Sequence, residues 1–448
     1  MARPWQTIAC EQAPSVNSLD NALRVLAALS MVFSVAFTLE VRSARAATCE
    51  SLAKLALPDT TIVLAKMESA GEDLHLPGPP LGNLPAFCRV AGEIRPTRDS
   101  NIKFEVWMPA SGWNHKFMGV GNGGWAGEIW YSDMSDALQR GYATASTDTG
   151  HEGNAGDASF ALGHPEKVSD FGYRAFHETT VKAKAIVSGY YGDAPKHSYW
   201  NGCSTGGKQG LTEAQRYPRD YDGIIAGAPA HFWTHLMVSG IWIGQATHDN
   251  PVSYLPKEKY AVLHKAVLEA CDSLDGVKDG VLENPKKCQF DPKVLLCKGG
   301  NGTGCLMPSQ VDAARKIYAG PKNPRTGERI FPGLEPGSEN GWNFFARGME
   351  VPIVASYFKY LIFHDPNWDY RALNFELRCD SGDRKLTSTA DFAFSKSGRA
   401  SLVLARFALY RFAFLLMDAA SPRLFMRLRR FTREGTGGNM YGYRTSGS

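Results

Sequence analysis

Along residues 101–109 (Asn-Ile-Lys-Phe-Glu-Val-Trp-Met-Pro) apolar and polar side chains alternate, the period of a strand with one face buried. Lys116 to Gly121 is a shorter run built on Phe117, Met118 and Val120, and Gly141 to Thr147 is a third; both read as buried strands. Phe176, Val181, Ile186 and Val187 fall at helical spacing and predict a helix over Phe176 to Tyr191. The aromatic run His197 to Trp200 predicts another strand, Leu211 to Arg216 a helix, and Tyr221 to Ala230 the next strand with its exit. Strand and helix alternating in this way predict an α/β fold, a parallel sheet with helices on both faces. Residues 57–93, interrupted by Pro58, Pro77, Pro79, Pro80 and Pro85, carry no period that assigns an element. Past Ala230 the texture changes. Residues 231–375 are rich in Trp, Pro and Gly with little strand character, which predicts an inserted, mostly helical lid.

Between the strand at His197 and its helix lies Gly202-Cys203-Ser204-Thr205-Gly206-Gly207. A serine flanked by small residues on a strand-to-helix turn is the pattern of a nucleophile elbow, where the tight backbone leaves no room for side chains two residues away. The helix start then aims free N–H groups at an oxyanion. The plain alternative is a glycine-rich turn with an incidental serine. A second glycine cluster, Gly121 to Gly127, follows the strand at Lys116, the place from which a serine hydrolase draws its other oxyanion donor. The candidates are the amides of Gly124, with Gly123 beside it, and Thr205. A hairpin or phosphate loop is the alternative, and no phosphate-loop pattern follows. Asp148 and His151, at the end of the third strand, read as supports for the site, because this architecture places its acid and histidine after the nucleophile.

Composition narrows the class. Over 448 residues the net charge is only +4, with 44% hydrophobic and 21% charged residues, which excludes a dedicated nucleic-acid binder. The apolar run Val25 to Leu39, preceded by Arg24 and ending at Ala44-Arg45-Ala46, reads as a leader over residues 1–46 with a signal-peptidase site. It is short for a membrane span. Eight of the nine cysteines lie beyond the leader, several in close pairs, as in a disulfide framework outside the cytosol; free thiols are the alternative. The expected location is therefore secreted or periplasmic. Within the lid, Asp272, Asp275 and Asp279 at short spacing, with the carbonyls of Val277 and Val281, offer hard oxygens to a calcium ion. The same Asp/Gly stretch equally fits a surface loop of Asx turns.

Three stretches together resemble the tannase and feruloyl esterase family: Gly202 to Gly207, Ser146 to His151, and Asp222 to Ala230. Asp272 to Val281 is similar to that family's calcium loop, and Gly337-Ser338-Glu339 through Asp369 to the end of its lid. The resemblance runs from Cys49 to Phe375. It implies an α/β-hydrolase fold with a lid, Ser204 as nucleophile, and Gly124 and Thr205 as oxyanion donors. It further implies structural Ca2+ on Asp272, Asp275, Val277, Asp279 and Val281, and disulfides Cys49–Cys88, Cys271–Cys288 and Cys297–Cys305. The reaction it implies is hydrolysis of a small-molecule ester of an aromatic acid. The domains follow: leader 1–46, hydrolase core 47–230, lid 231–375, and an atypical segment 376–448.

That last segment departs from the family. Members place an Asp and then a His-Cys pair after the lid, and the Cys bonds to the one beside the nucleophile. Here all eleven histidines lie at or before His364 and none precedes a cysteine, so Cys203 has no such partner. Leu402 to Met417 is an apolar run and Arg423 to Arg433 is dense in arginine. The segment reads as a replaced C-terminus, a poorly packed helix that fails to complete the sheet rather than a membrane-surface helix. Asp418 reads as an aspartate without a catalytic role. His151, His197 and His364 are the histidines to be tested for reach to Ser204. A catalytically impaired homologue is accordingly the competing reading.

Overall fold

The computed structural model describes residues 47–300, 302–346 and 351–375, and the backbone of 401–403. The leader, Cys379, Asp418 and the arginine-rich stretch lie outside the described residues. An eight-stranded sheet has the order β1-β2-β3-β5-β4-β6-β7-β8. Its strands are β1 (Thr60–Glu68), β2 (Phe87–Ile94), β3 (Ile102–Pro109), β4 (Lys116–Val120), β5 (Ala143–Thr147), β6 (His197–Cys203), β7 (Gly223–Gly227) and β8 (Ser401–Val403). The β1, β2 and β3 ladders are antiparallel, β3 also runs antiparallel to β5, and from β5 to β8 all pairs are parallel.

Alternation along the strands sorts the core into two layers. Phe104, Val106 and Met108 of β3 and Phe117 of β4 join one cluster with Phe176, Ile186 and Val187 of the helix Ala175–Tyr191. Trp107 of β3 and Met118 and Val120 of β4 join another with Met134 and Leu138 of the helix Tyr131–Gln139. Neighbouring residues of a strand point to opposite faces, so helices cover both. Each fully buried Phe, Ile or Met contributes about 1.5–3 kcal/mol. We call these helices α1 (Tyr131–Gln139) and α2 (Ala175–Tyr191). After them come α3 (Thr205–Arg216), α4 (Trp233–His248), α5 (Lys257–Cys271) and α6 (Pro308–Ala319).

The expected parallel sheet is mixed, since β1 to β3 join it antiparallel, and two further differences from the pattern-based expectation stand out. Residues 57–93 hold all of β1 and all but the last residue of β2. The β1 ladder shifts register between Ile62 and Leu64, and Val63 is 61% exposed. A bulge on an edge strand interrupts the two-residue period, which hides the strand from periodicity. The second difference lies in the tail. Ser401–Val403 pair in parallel with Gly223, Ile224 and Ile225, so these three residues extend the sheet, and the rest of the apolar run lies outside the described residues. An unpaired β7 edge presents free N–H and C=O groups, and an apolar β-prone segment satisfies them.

Between β7 and β8 every named element among the described residues is helical. Helices α4, α5 and α6 and Trp342 pack about a cluster that includes Ile243, Leu263, Val311 and Ile317. Fully buried Glu339 ties it together by accepting hydrogen bonds from His264 Nδ1 (3.0 Å), Tyr318 Oη (2.8 Å) and Gly337 N (2.8 Å).

Candidate active site

Strand β6 ends at Cys203 and α3 begins at Thr205, which leaves Ser204 alone at the junction with φ 60° and ψ −118°. For a residue with a Cβ this backbone costs on the order of 1–3 kcal/mol and persists only where neighbours enforce it. They do. Ser204 N donates to Gly227 O, and Ser204 O accepts from Lys208 N and Ala230 N, all at 3.0 Å. The flanking glycines are required by contact. A Cβ at Gly202 would lie 2.5 Å from the Gly206 carbonyl, and one at Gly207 2.5 Å from Gly227 O. The helix therefore starts at Thr205, six residues before the Leu211 that side-chain pattern indicates. Gly206, Gly207 and Gly210 are poor helix formers by themselves, and close packing on β6 overrides that preference.

The loop after β4 is welded to this turn. Asn122 O accepts from Gly206 N (2.7 Å), and Thr205 Oγ1 donates to Gly124 O (2.5 Å). Gln209 and Asn122 bond reciprocally: Asn122 N donates to Gln209 Oε1 (3.1 Å), and Gln209 Nε2 donates to Asn122 Oδ1 (3.0 Å). Ser204, Thr205 and Gly124 are thus brought together. Among the described residues, no acceptor takes the amide of Gly124 or of Thr205. Asn122 and Gln209 are the positioning residues that reading the motif passes over. Their only signal in the sequence is that each is polar within a glycine-rich stretch whose backbone must be satisfied.

The candidate histidines stand elsewhere. His197 opens β6, at the end of the strand opposite Ser204, 3.8 Å from the Asp222 carboxylate. His364 bonds the Tyr360 carbonyl on the surface. His151 is buried with its ring stacked 3.5 Å from Phe160, and burial lowers its pKa to about 4. Asp148 Oδ1 accepts from Lys103 N (3.0 Å) and Gly150 N (2.8 Å), and burial pushes its carboxyl up to about 8. Among the described residues no histidine is hydrogen-bonded to the Ser204 hydroxyl. Cys203 is exposed and forms no disulfide among the described residues.

Beside the elbow, Trp125 ties the glycine loop to the helical region. Its Nε1 donates to Ile353 O (2.9 Å), and its ring lies 5.0 Å from Trp233 and 5.1 Å from Phe171. Lys208, fully buried one turn into α3, sets its ammonium 4.4 Å from the Phe171 ring centre and 3.3 Å from the Phe171 carbonyl. Burial lowers its pKa to about 7.

The three disulfides are Cys49–Cys88, Cys271–Cys288 and Cys297–Cys305. The second closes the loop that carries Asp272, Asp275 and Asp279. There Asp272 accepts from Gly280 N, Asp275 from Val277 N and Glu283 N, and Asp279 from Val281 N. No ion pair is seen for any of the three carboxylates among the described residues. Val277 and Val281 turn their side chains outward, 58% and 57% exposed. Oxygen donors of this kind suit a hard divalent ion, but each carboxylate is turned to amides of its own loop, and the three do not converge into one ligand group among the described residues.

The model of the tannase and feruloyl esterase family matches residues 88–357. A Xanthomonas campestris protein described as an uncharacterized esterase is 41% identical over 382 residues, 83% of this chain and 65% of that protein. A probable feruloyl esterase B-1 of Aspergillus flavus is 33% identical over 337 residues, 72% of this chain and 62% of that one. The chain thus spans less than two thirds of the length of either relative. Among solved structures, an esterase from Aspergillus oryzae is 28% identical with a TM-score of 0.73, covering 84% of this chain and 79% of that one. Sheet order, elbow and this likeness agree on the α/β-hydrolase fold.

Proposed function

The chain belongs to the tannase and feruloyl esterase family, and from that membership we propose that it hydrolyses small-molecule esters of aromatic acids, of the feruloyl or tannin type, through an acyl-serine on Ser204. The observation that carries the reading is the strained backbone of Ser204 at a strand-to-helix junction, beside a loop whose Gly124 amide has no acceptor among the described residues. In this reading Ser204 Oγ attacks the carbonyl carbon and its proton passes to a base. The tetrahedral adduct then expels the alcohol, and water releases the acid from the serine. The amides of Gly124 and Thr205 receive the oxyanion, a contribution of about 2.7–4 kcal/mol for each such donor.

A second reading, a homologue that keeps the fold and has lost most of its rate, draws on the lack of a histidine bonded to Ser204 among the described residues. One experiment separates the two. The purified chain and Ser204→Ala are exposed to a fluorophosphonate probe and, in parallel, to methyl ferulate and methyl gallate. Labelling and turnover confined to the unsubstituted chain support the esterase. Folded protein that neither labels nor turns over supports the impaired homologue.

Two further features belong to the proposal. Structural Ca2+ is assigned to Asp272, Asp275 and Asp279 with the carbonyls of Val277 and Val281, where it would draw the carboxylates together and stiffen the disulfide-closed loop. Export to the periplasm or medium is supported by three disulfides, which persist in oxidising surroundings.

A further inference from the structure

At the end of α3 remote from Ser204, side chains from three elements converge. His177 comes from the first turn of α2, Glu213 from the last turn of α3, and Asp220 from the loop leading to β7. Their candidate ligand atoms all lie within 4.8 Å of one another, the only such group of His, Cys, Asp and Glu among the described residues. His177 Nδ1 is 2.6 Å from Asp220 Oδ2, and the Tyr217 ring stacks on the imidazole at 3.6 Å and 7°. Glu213 is fully buried, and neither of its carboxylate oxygens meets a donor. It faces the carboxylate of Asp220, which is another acceptor. Lys184 is close enough to lend some positive charge, but its ammonium is hydrogen-bonded to the Asp220 carbonyl.

A buried carboxylate without a donor calls for a cation between it and its neighbours. We propose that His177, Glu213 and Asp220 hold a divalent transition metal of the zinc class. The donor set decides the class: one imidazole nitrogen and two carboxylate oxygens suit Zn2+, whereas calcium prefers oxygen alone. Bonds of about 2.0–2.2 Å around a tetrahedral centre put ligand atoms roughly 3.4 Å apart, within the 4.8 Å span of the present group, and His177 Nδ1 and Asp220 Oδ2 would separate from their present 2.6 Å to admit the ion. The side chains of His177 and Asp220 keep 23% and 16% of their surface exposed, which leaves a path for the ion and a water as fourth ligand. Nine residues of helix separate Glu213 from Ser204, roughly 13 Å at 1.5 Å per residue. The ion therefore cannot touch a substrate on Ser204; it pins the far end of the nucleophile helix to α2 and to the approach of β7.

The test uses the whole chain with its disulfides intact. The protein is stripped with a chelator, then dialysed against micromolar Zn2+ with excess Ca2+ present to saturate the lid loop. Bound zinc is counted by elemental mass spectrometry and the melting temperature is recorded. The proposal expects about one zinc per chain and a melting temperature raised by binding linkage, with both effects lost in Glu213→Gln and His177→Gln. Glu213→Gln keeps the side-chain volume and can donate its amide to Asp220. Its metal-free circular dichroism and melt show whether it folds. Zinc binding by the unsubstituted chain no greater than by folded Glu213→Gln overturns the proposal, as does a melt that zinc leaves unmoved. A proton shared between Glu213 and Asp220 would then occupy the position.

Discussion

Replacing Gly202 with alanine adds one methyl group where β6 and α3 touch. The new Cβ would lie 2.5 Å from both the carbonyl carbon and oxygen of Gly206 and 2.8 Å from its Cα. That is about 1 Å inside the 3.5–4.0 Å of an ordinary carbon contact. All three atoms are backbone, so no side chain can swing away. The Gly206 carbonyl is also held by Trp200 Nε1 at 2.9 Å, and its amide by Asn122 O at 2.7 Å. Relief therefore requires the first turn of α3 to slide by about 1 Å, and Ser204 moves with it. Overpacking of this kind costs about 1–3 kcal/mol, and a 1 Å misplacement of a reacting group costs about 100-fold in rate. The assays are urea unfolding and the second-order rate of fluorophosphonate labelling. Gly304→Ala, where an added Cβ meets nothing within 4 Å, is the neutral control. Gly202→Ala that labels at the unsubstituted rate with unchanged stability would refute the claim that this contact holds the serine in place.

Other outcomes test the surrounding physics. Glu105 accepts from Arg89 Nε (2.9 Å) and Nη2 (2.6 Å), Trp107 Nε1 (2.7 Å) and Tyr131 Oη (2.9 Å). Glu105→Ala strands these buried donors and is expected to cost about 3–5 kcal/mol in urea unfolding; a loss below about 1 kcal/mol contradicts that account. Lys208 titrates near 7 when folded against 10.5 as a free side chain. The unfolded chain thus binds its proton more tightly, and stability declines as pH falls from about 10.5 to 7 and levels off below. Lys208→Met should flatten that slope and stabilise the protein at pH 7 by roughly 1–3 kcal/mol. The full desolvation difference of about 4 kcal/mol is partly offset by the cation–π contact with Phe171. An unaltered slope in the variant shows that another group titrates. Chelation in zinc-free buffer should lower the melting temperature, with Ca2+ restoring it in the unsubstituted chain and not in Asp275→Asn/Asp279→Asn; a melt indifferent to Ca2+ removes the calcium assignment.

Local sequence determined the elements whose side chains meet a uniform environment. Strands β4 and β5 were legible as short apolar runs because nearly every position is buried, and β3, though buried on both faces, still alternates larger apolar with polar residues at its start; helix α2 was legible from apolar residues at helical spacing. The elbow was legible for a related reason: only glycine tolerates the backbone contacts at Gly202 and Gly207, so the constraint appears as composition. Tertiary structure alone decided the rest. The bulge at Val63 removed the period of β1, and pairing with β7 gave residues 401–403 a place in the sheet. It also decided that Asn122 and Gln209 lock the glycine loop onto α3, and that His177, Glu213 and Asp220 meet behind it. Asn122 and Gln209 are 87 positions apart in sequence, and His177 and Asp220 are 43 apart. No local pattern encodes such meetings, because hydrogen bonding and charge depend on distance in space, which the folded sheet sets.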